Sequence, residues 1–120
     1  MSSLNTFGAI LTHAIELETR LRDYYLAAGV SARAADADKR RTNLERARRE
    51  NITEIKLEPI EGLDAADYAL KLGDTSAAGQ NANEATAARF FTDVAPKINV
   101  REAQRALERC ARQHQELADG

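Results

Sequence analysis

Apolar residues near the start of the chain recur at helical spacing. Leu11, Ala14, Leu21, Tyr25 and Ala28 fall on one side of a helix at about 100° per residue. Glu18 falls in the middle of that side. A carboxylate there is costly unless it is paired or protonated. The pattern predicts a first helix over residues 3–28, stopped at Gly29. A second helix is expected over residues 31–57, capped by Ser31 and ended at Glu58-Pro59. A third covers residues 76–95 and closes at Pro96. A fourth covers residues 100–118, opened by Asn99 and Glu102 as a capping pair. The long connection between the second and third helices holds a short helix near residues 65–72, with Asp64 as cap and Gly73 as stop. No stretch alternates apolar and polar residues as a half-buried strand would.

Connection lengths turn these elements into a fold class. A few residues join the first helix to the second and the third to the fourth, so each pair packs antiparallel. The connection between the pairs is long enough to run the length of a bundle. The expectation is an all-α four-helix bundle of two similar hairpins joined by a long crossover, the ferritin-like arrangement. Composition agrees with one globular domain: 120 residues, 43% hydrophobic and 30% charged. A net charge of −2 lacks the basic footprint of a general nucleic-acid binder. Cys110 is the sole cysteine and cannot form an internal disulfide, which fits a reducing cytoplasm. No apolar run approaches the roughly 20 residues that span a bilayer, and MSSLNTFGAIL lacks the basic start of a signal peptide. A cytoplasmic chain without membrane or nucleic-acid partners is therefore expected.

The two halves resemble each other. Glu18 precedes Tyr25 by seven residues, and Glu84 precedes Phe91 by seven. Residues 44–51 read LERARREN and residues 107–114 read LERCARQH. The offsets are 66 and 63 residues. A duplicated helical hairpin explains both, and chance likeness between Ala/Arg/Glu-rich helices is the competing account.

With IELETRLRDYYLAA in the first helix and Glu84 in the third, the chain resembles the rubrerythrin-like branch of the ferritin-like superfamily. The resemblance implies that Glu18 and Glu84 sit at metal-ligand positions. It also implies a Glu-x-x-His pair on each of the other two helices. Here the chain departs from the family. Anchoring the second helix on Leu44 and Ile55 puts Arg48 at the Glu position and Asn51 at the His position. In the fourth helix Ala111 replaces Glu, and His114 occupies the His position. A register using Glu50 and Thr53 is set aside, because Glu50 points about 140° away from the face of Leu44, Asn51 and Ile55.

A structural polar core of Glu18, Arg48, Asn51, Glu84 and His114 follows. Arg48 is its expected counter-charge, no resident cofactor is expected, and the site is degenerate. The alternative is iron or manganese on Glu18, Glu84 and His114, a set of two carboxylates and an imidazole. Function divides the same way. The preferred reading is a non-catalytic structural or interaction module. The alternative is a redox protein handling iron, peroxide or oxygen. Family habit implies a homodimer, and a further protein partner is left open.

Other features take plainer readings. His13 is expected in solvent. Tyr25 and Phe91 belong to the core, while Tyr24 and Phe90 flank it and face a partner chain. Cys110 is read as a buried thiol, and KRRTNLERARR as a solvated basic face.

Overall fold

The computed structural model describes Leu4, residues 6–50 and residues 62–120. Four α-helices dominate: α1, Phe7–Ala27; α2, Ser31–Glu50; α3, Ala77–Val94; and α4, Arg101–Asp119. Single 3-10 turns lie at Ala65–Tyr68 and Ala95–Lys97. Among the described residues there is no strand, and no helix is long and apolar enough to cross a membrane. The architecture is an all-α bundle of two helical hairpins.

Local signals account for most boundaries. The Thr6 hydroxyl accepts from Ala9 N and opens α1. At the other end Gly29 adopts φ 77°, a backbone region that costs glycine little. Val30 N then reaches Tyr25 O at 2.9 Å and Gly29 N reaches Leu26 O at 3.2 Å. That double closure ends the helix and turns the chain back. Ser76 caps α3 through Gly79 N, and Asp64 caps the 3-10 turn through Ala66 N.

Two expectations need correction. The short helix stops at Tyr68 instead of continuing to Leu72. The fourth helix opens after Val100 with no side-chain cap, so Asn99 and Glu102 do not form a capping pair. The predicted extension of the second helix to residue 57, and its stop at Pro59, lie outside the described residues.

Helix directions follow from named contacts. The hairpin turns make α1 antiparallel to α2 and α3 antiparallel to α4. Phe90, late in α3, packs on His13, early in α1, with ring centroids 5.0 Å apart. Tyr25, late in α1, bonds Glu84, in the first half of α3. So α1 and α3 are antiparallel as well, which makes α2 and α3 parallel. The end of α2 at Glu50 and the start of α3 at Ala77 therefore lie at opposite ends of the bundle. Arg40 on α2 reaches Gln113 on α4, completing a square in which α1 neighbours α2 and α3, and α4 neighbours both of the latter.

The large apolar core side chains come from α1, α3 and α4: Ile10, Leu11, Leu21, Tyr25, Phe90, Phe91, Val94 and Leu107 are fully buried. Tyr24 and Phe90 belong to it, correcting their placement against a partner. The α2 helix contributes mostly small side chains, Ala34, Ala37 and Ala47, with Leu44 the one large apolar group. That leaves room inside for a long polar side chain.

The crossover is clamped to α3. Asn83 accepts from Lys71 N at 2.8 Å and donates to Lys71 O at 3.1 Å. Tyr68 donates to Asp93 at 2.7 Å, and Tyr24 donates to the Asp74 carbonyl. Gly79 passes so near Asp74 that a Cβ there would overlap it. Asn83→Ala is expected to lower stability by about 1–3 kcal/mol, because two backbone groups lose their buried partner. A urea midpoint equal to the parent's would show that this clamp contributes nothing.

Candidate functional site

Glu18, Glu84 and His114 arrive from three helices and meet in the core, each with no exposed surface. Glu18 lies midway along α1, Glu84 midway along α3, and His114 one turn beyond Cys110 on α4. His114 lies between the carboxylates. Its Nε2 is 2.7 Å from Glu18 Oε2 and its Nδ1 is 2.5 Å from Glu84 Oε2. Phe91 stacks on the imidazole, centroids 5.4 Å apart and planes within 8°. The ring is thus held at both edges and on one face.

Two further side chains complete the network. Tyr25 Oη donates to Glu84 Oε1 at 2.5 Å. Arg40 Nε lies 3.0 Å from both Glu18 oxygens, and its side chain is only 3% exposed. Arg40 Nη1 reaches Gln113 at 3.4 Å, and Nη2 has no hydrogen-bond partner among the described residues. At the outer edge Arg33 lies over the Tyr25 ring, 5.7 Å from its centroid.

The protonation pattern follows from this geometry. An imidazole with a carboxylate oxygen at each nitrogen satisfies both only when each nitrogen donates, that is, as imidazolium. Burial works against that charge, but Glu18 and the hydrogen bonds to both carboxylates outweigh it and hold the His114 pKa above its ordinary 6.5. Burial likewise works against ionised Glu84, and the bonds from His114 and Tyr25 hold its pKa below the ordinary 4.5. Two carboxylates then face one guanidinium and one imidazolium, so the interior is electrically closed. Burial raises the Tyr25 hydroxyl and the neighbouring Cys110 thiol far above their ordinary values, leaving both protonated.

The counter-cation is not the expected one. Arg48 is exposed, and Arg40 takes its place. Ion pairs along the first hairpin match Glu18 with Arg40 and Arg22 with Asp38. In that register Arg48 lies eight residues beyond the level of Glu18, about 12 Å along the axis. At its level α1 presents Ile10 and Leu11, both fully buried, and no carboxylate. A guanidinium without a buried partner stays in water. Asn51 lies outside the described residues. Arg40 itself sits in the basic stretch read as solvated, and that reading is corrected at this position. His13, expected in solvent, is half-buried against Phe90, and burial holds its pKa below 6.5.

The internal repeat shifts too. Glu18–Arg40 and Glu84–His114 are equivalent pairs in the two hairpins. Arg40 and His114 are 74 residues apart, not 63. The difference of eleven is about three helical turns, which preserves the face and moves the level by roughly 16 Å.

As arranged, the two carboxylates occupy opposite edges of one ring, and each ring nitrogen already faces a carboxylate oxygen. A cation at Glu18 would also meet the Arg40 guanidinium. Among the described residues, no three His, Cys, Asp or Glu side chains converge as a metal ion requires. Cys110 is buried as a free thiol.

Comparison of the chain with family models, with curated proteins and with solved structures returns no match.

Proposed function

We propose that this protein is a ferritin-like bundle related to the rubrerythrin branch, in which an internal ion network stands where its relatives hold metal. It acts as a non-catalytic structural or interaction module, with no resident cofactor. The observation that carries this reading is Arg40 on Glu18, 3.0 Å from both carboxylate oxygens and almost wholly buried. A fixed positive charge there supplies what a metal ion would otherwise supply, and it opposes cation entry. The pairing of two bundles implied by the resemblance belongs to the same proposal, as does a cytoplasmic setting.

The competing reading is a redox site for iron, peroxide or oxygen. The convergence of Glu18, Glu84 and His114 is in its favour.

One experiment separates them. The full chain, made in iron- and manganese-supplemented medium and purified without chelator, is assayed for metal by mass spectrometry. Less than about a tenth of an equivalent is expected, with melting unchanged by chelator, since a bound metal would stabilise by mass action. Near-stoichiometric metal that is lost in Glu18→Ala and His114→Ala would overturn the proposal. Light scattering on the same sample reads the oligomeric state, and a monomer mass would remove the dimer from it.

A further inference from the structure

A second polar site lies on the outside of the bundle, between α2 and α4. These helices run antiparallel, so residues 43–50 face residues 109–102. They enclose a groove of about 290 Å³. Arg46 enters it from α2, and Arg105 and Arg109 enter from α4. Asn43 lines the end beside Arg109, while Glu50 and Glu102 share the opposite end. The side chains between them at the helix contact are small, Ala47 and Ala106, so the groove stays open.

Charge is unevenly used on α2. Around the helix from the groove, Arg41 is held by Asp38 at 2.8 Å and by Glu45 at 2.9 Å. Among the described residues, Arg46, Arg105 and Arg109 form no ion pair or hydrogen bond. They nevertheless converge on one depression from two helices. Three guanidinium groups around a small concavity present planar pairs of N–H donors matched to tetrahedral oxyanions. The acidic end sets a limit in the other direction. A polyanionic strand laid along the groove would run from the arginines onto Glu50 and Glu102 and be repelled.

We propose that the α2/α4 groove binds a small oxyanion of the phosphate class, inorganic phosphate or a single phosphomonoester, on Arg46, Arg105 and Arg109. Glu50 and Glu102 restrict it to ligands with one anionic group. The proposal is independent of the metal state of the core, since the groove and the buried network share no side chain.

The test is a titration of the full chain with inorganic phosphate at constant low ionic strength, followed by the arginine Nε–H signals in NMR spectra. Saturable shifts of Arg46, Arg105 and Arg109 are expected. Arg46→Gln, Arg105→Gln and Arg109→Gln should each weaken binding about tenfold, as the loss of one charge-assisted contact implies. Arg20→Gln, on α1 outside the groove, should leave it unchanged. The three sites are exposed, so the variants should melt with the parent. Shifts that grow linearly without saturation, or that survive in the triple variant, would overturn the site. Tighter binding of a single-stranded oligonucleotide, with a steep salt dependence, would overturn the small-anion assignment. If the acidic end sets the limit, Glu50→Gln with Glu102→Gln should increase oligonucleotide binding, and no change would remove that role.

Discussion

Arg40→Ala is expected to destabilise the bundle by about 3–5 kcal/mol, because it leaves the buried Glu18 carboxylate short of its main partner in the core. Arg48→Ala, eight residues away on the same helix, should stay within about 0.5 kcal/mol of the parent, as exposed positions do. The contrast decides which arginine neutralises the interior. Urea midpoints at constant slope provide the measurement. Arg40→Met separates charge from packing, since methionine fills most of the space without the cation. An equal deficit in Ala and Met variants assigns the effect to the lost charge, and recovery in Met assigns it to a cavity. If Arg40→Ala and Arg48→Ala melt together near the parent, the ion pair does not hold the fold.

His114→Phe is the second large effect. Phenylalanine keeps an aromatic ring on Phe91 but removes both N–H donors. Glu84 then keeps only Tyr25, and Glu18 only Arg40. A loss of about 2–5 kcal/mol is expected near neutral pH, within the range for breaking buried charged pairs.

The pH profile identifies the cause. In the parent, His114 has its folded pKa raised. Its contribution is complete below 6.5 and is lost as pH rises through the raised folded value. Glu84 has its folded pKa lowered. Its contribution is present above 4.5 and is lost as pH falls through the lowered value. Parent stability should therefore be highest between these limits. The decline that starts above 6.5 belongs to His114 and should vanish in His114→Phe, leaving only the limb at higher pH to which the raised Cys110 thiol and Tyr25 hydroxyl contribute. An alkaline limb identical in parent and variant would show that His114 is not an imidazolium in the fold.

Helix content was legible because alanine, leucine, glutamate and arginine dominate, and because Ser76, Asp64 and Gly29 act through their own side chains or backbone freedom. The meeting of Glu18, Glu84 and His114 was also legible, through helical face and family likeness. The partner of Glu18 is not legible from a register anchored on Leu44 and Ile55, and the likeness of LERARREN to LERCARQH is itself shifted by about three turns from the structural pairing. A better signal was present. With a tight turn at residues 28–30, opposed positions in the hairpin sum to about 58, as Tyr25 with Arg33 and Glu18 with Arg40 do. Counting from Gly29 puts Arg40 opposite Glu18.

By itself the sequence determined the number of helices, their pairing into two hairpins, and the faces that carry Glu18, Glu84 and His114. These depend on spacing and on caps a few residues apart, which are local. Only the tertiary structure decided which arginine enters the core, why α2 has room for it, and that one imidazole spans both carboxylates. Those outcomes depend on the level at which helices from distant parts of the chain meet. A helix face repeats every few turns, so periodicity alone cannot tell Arg40 from Arg48. A buried charge is tolerated only at the level where an opposite charge already waits.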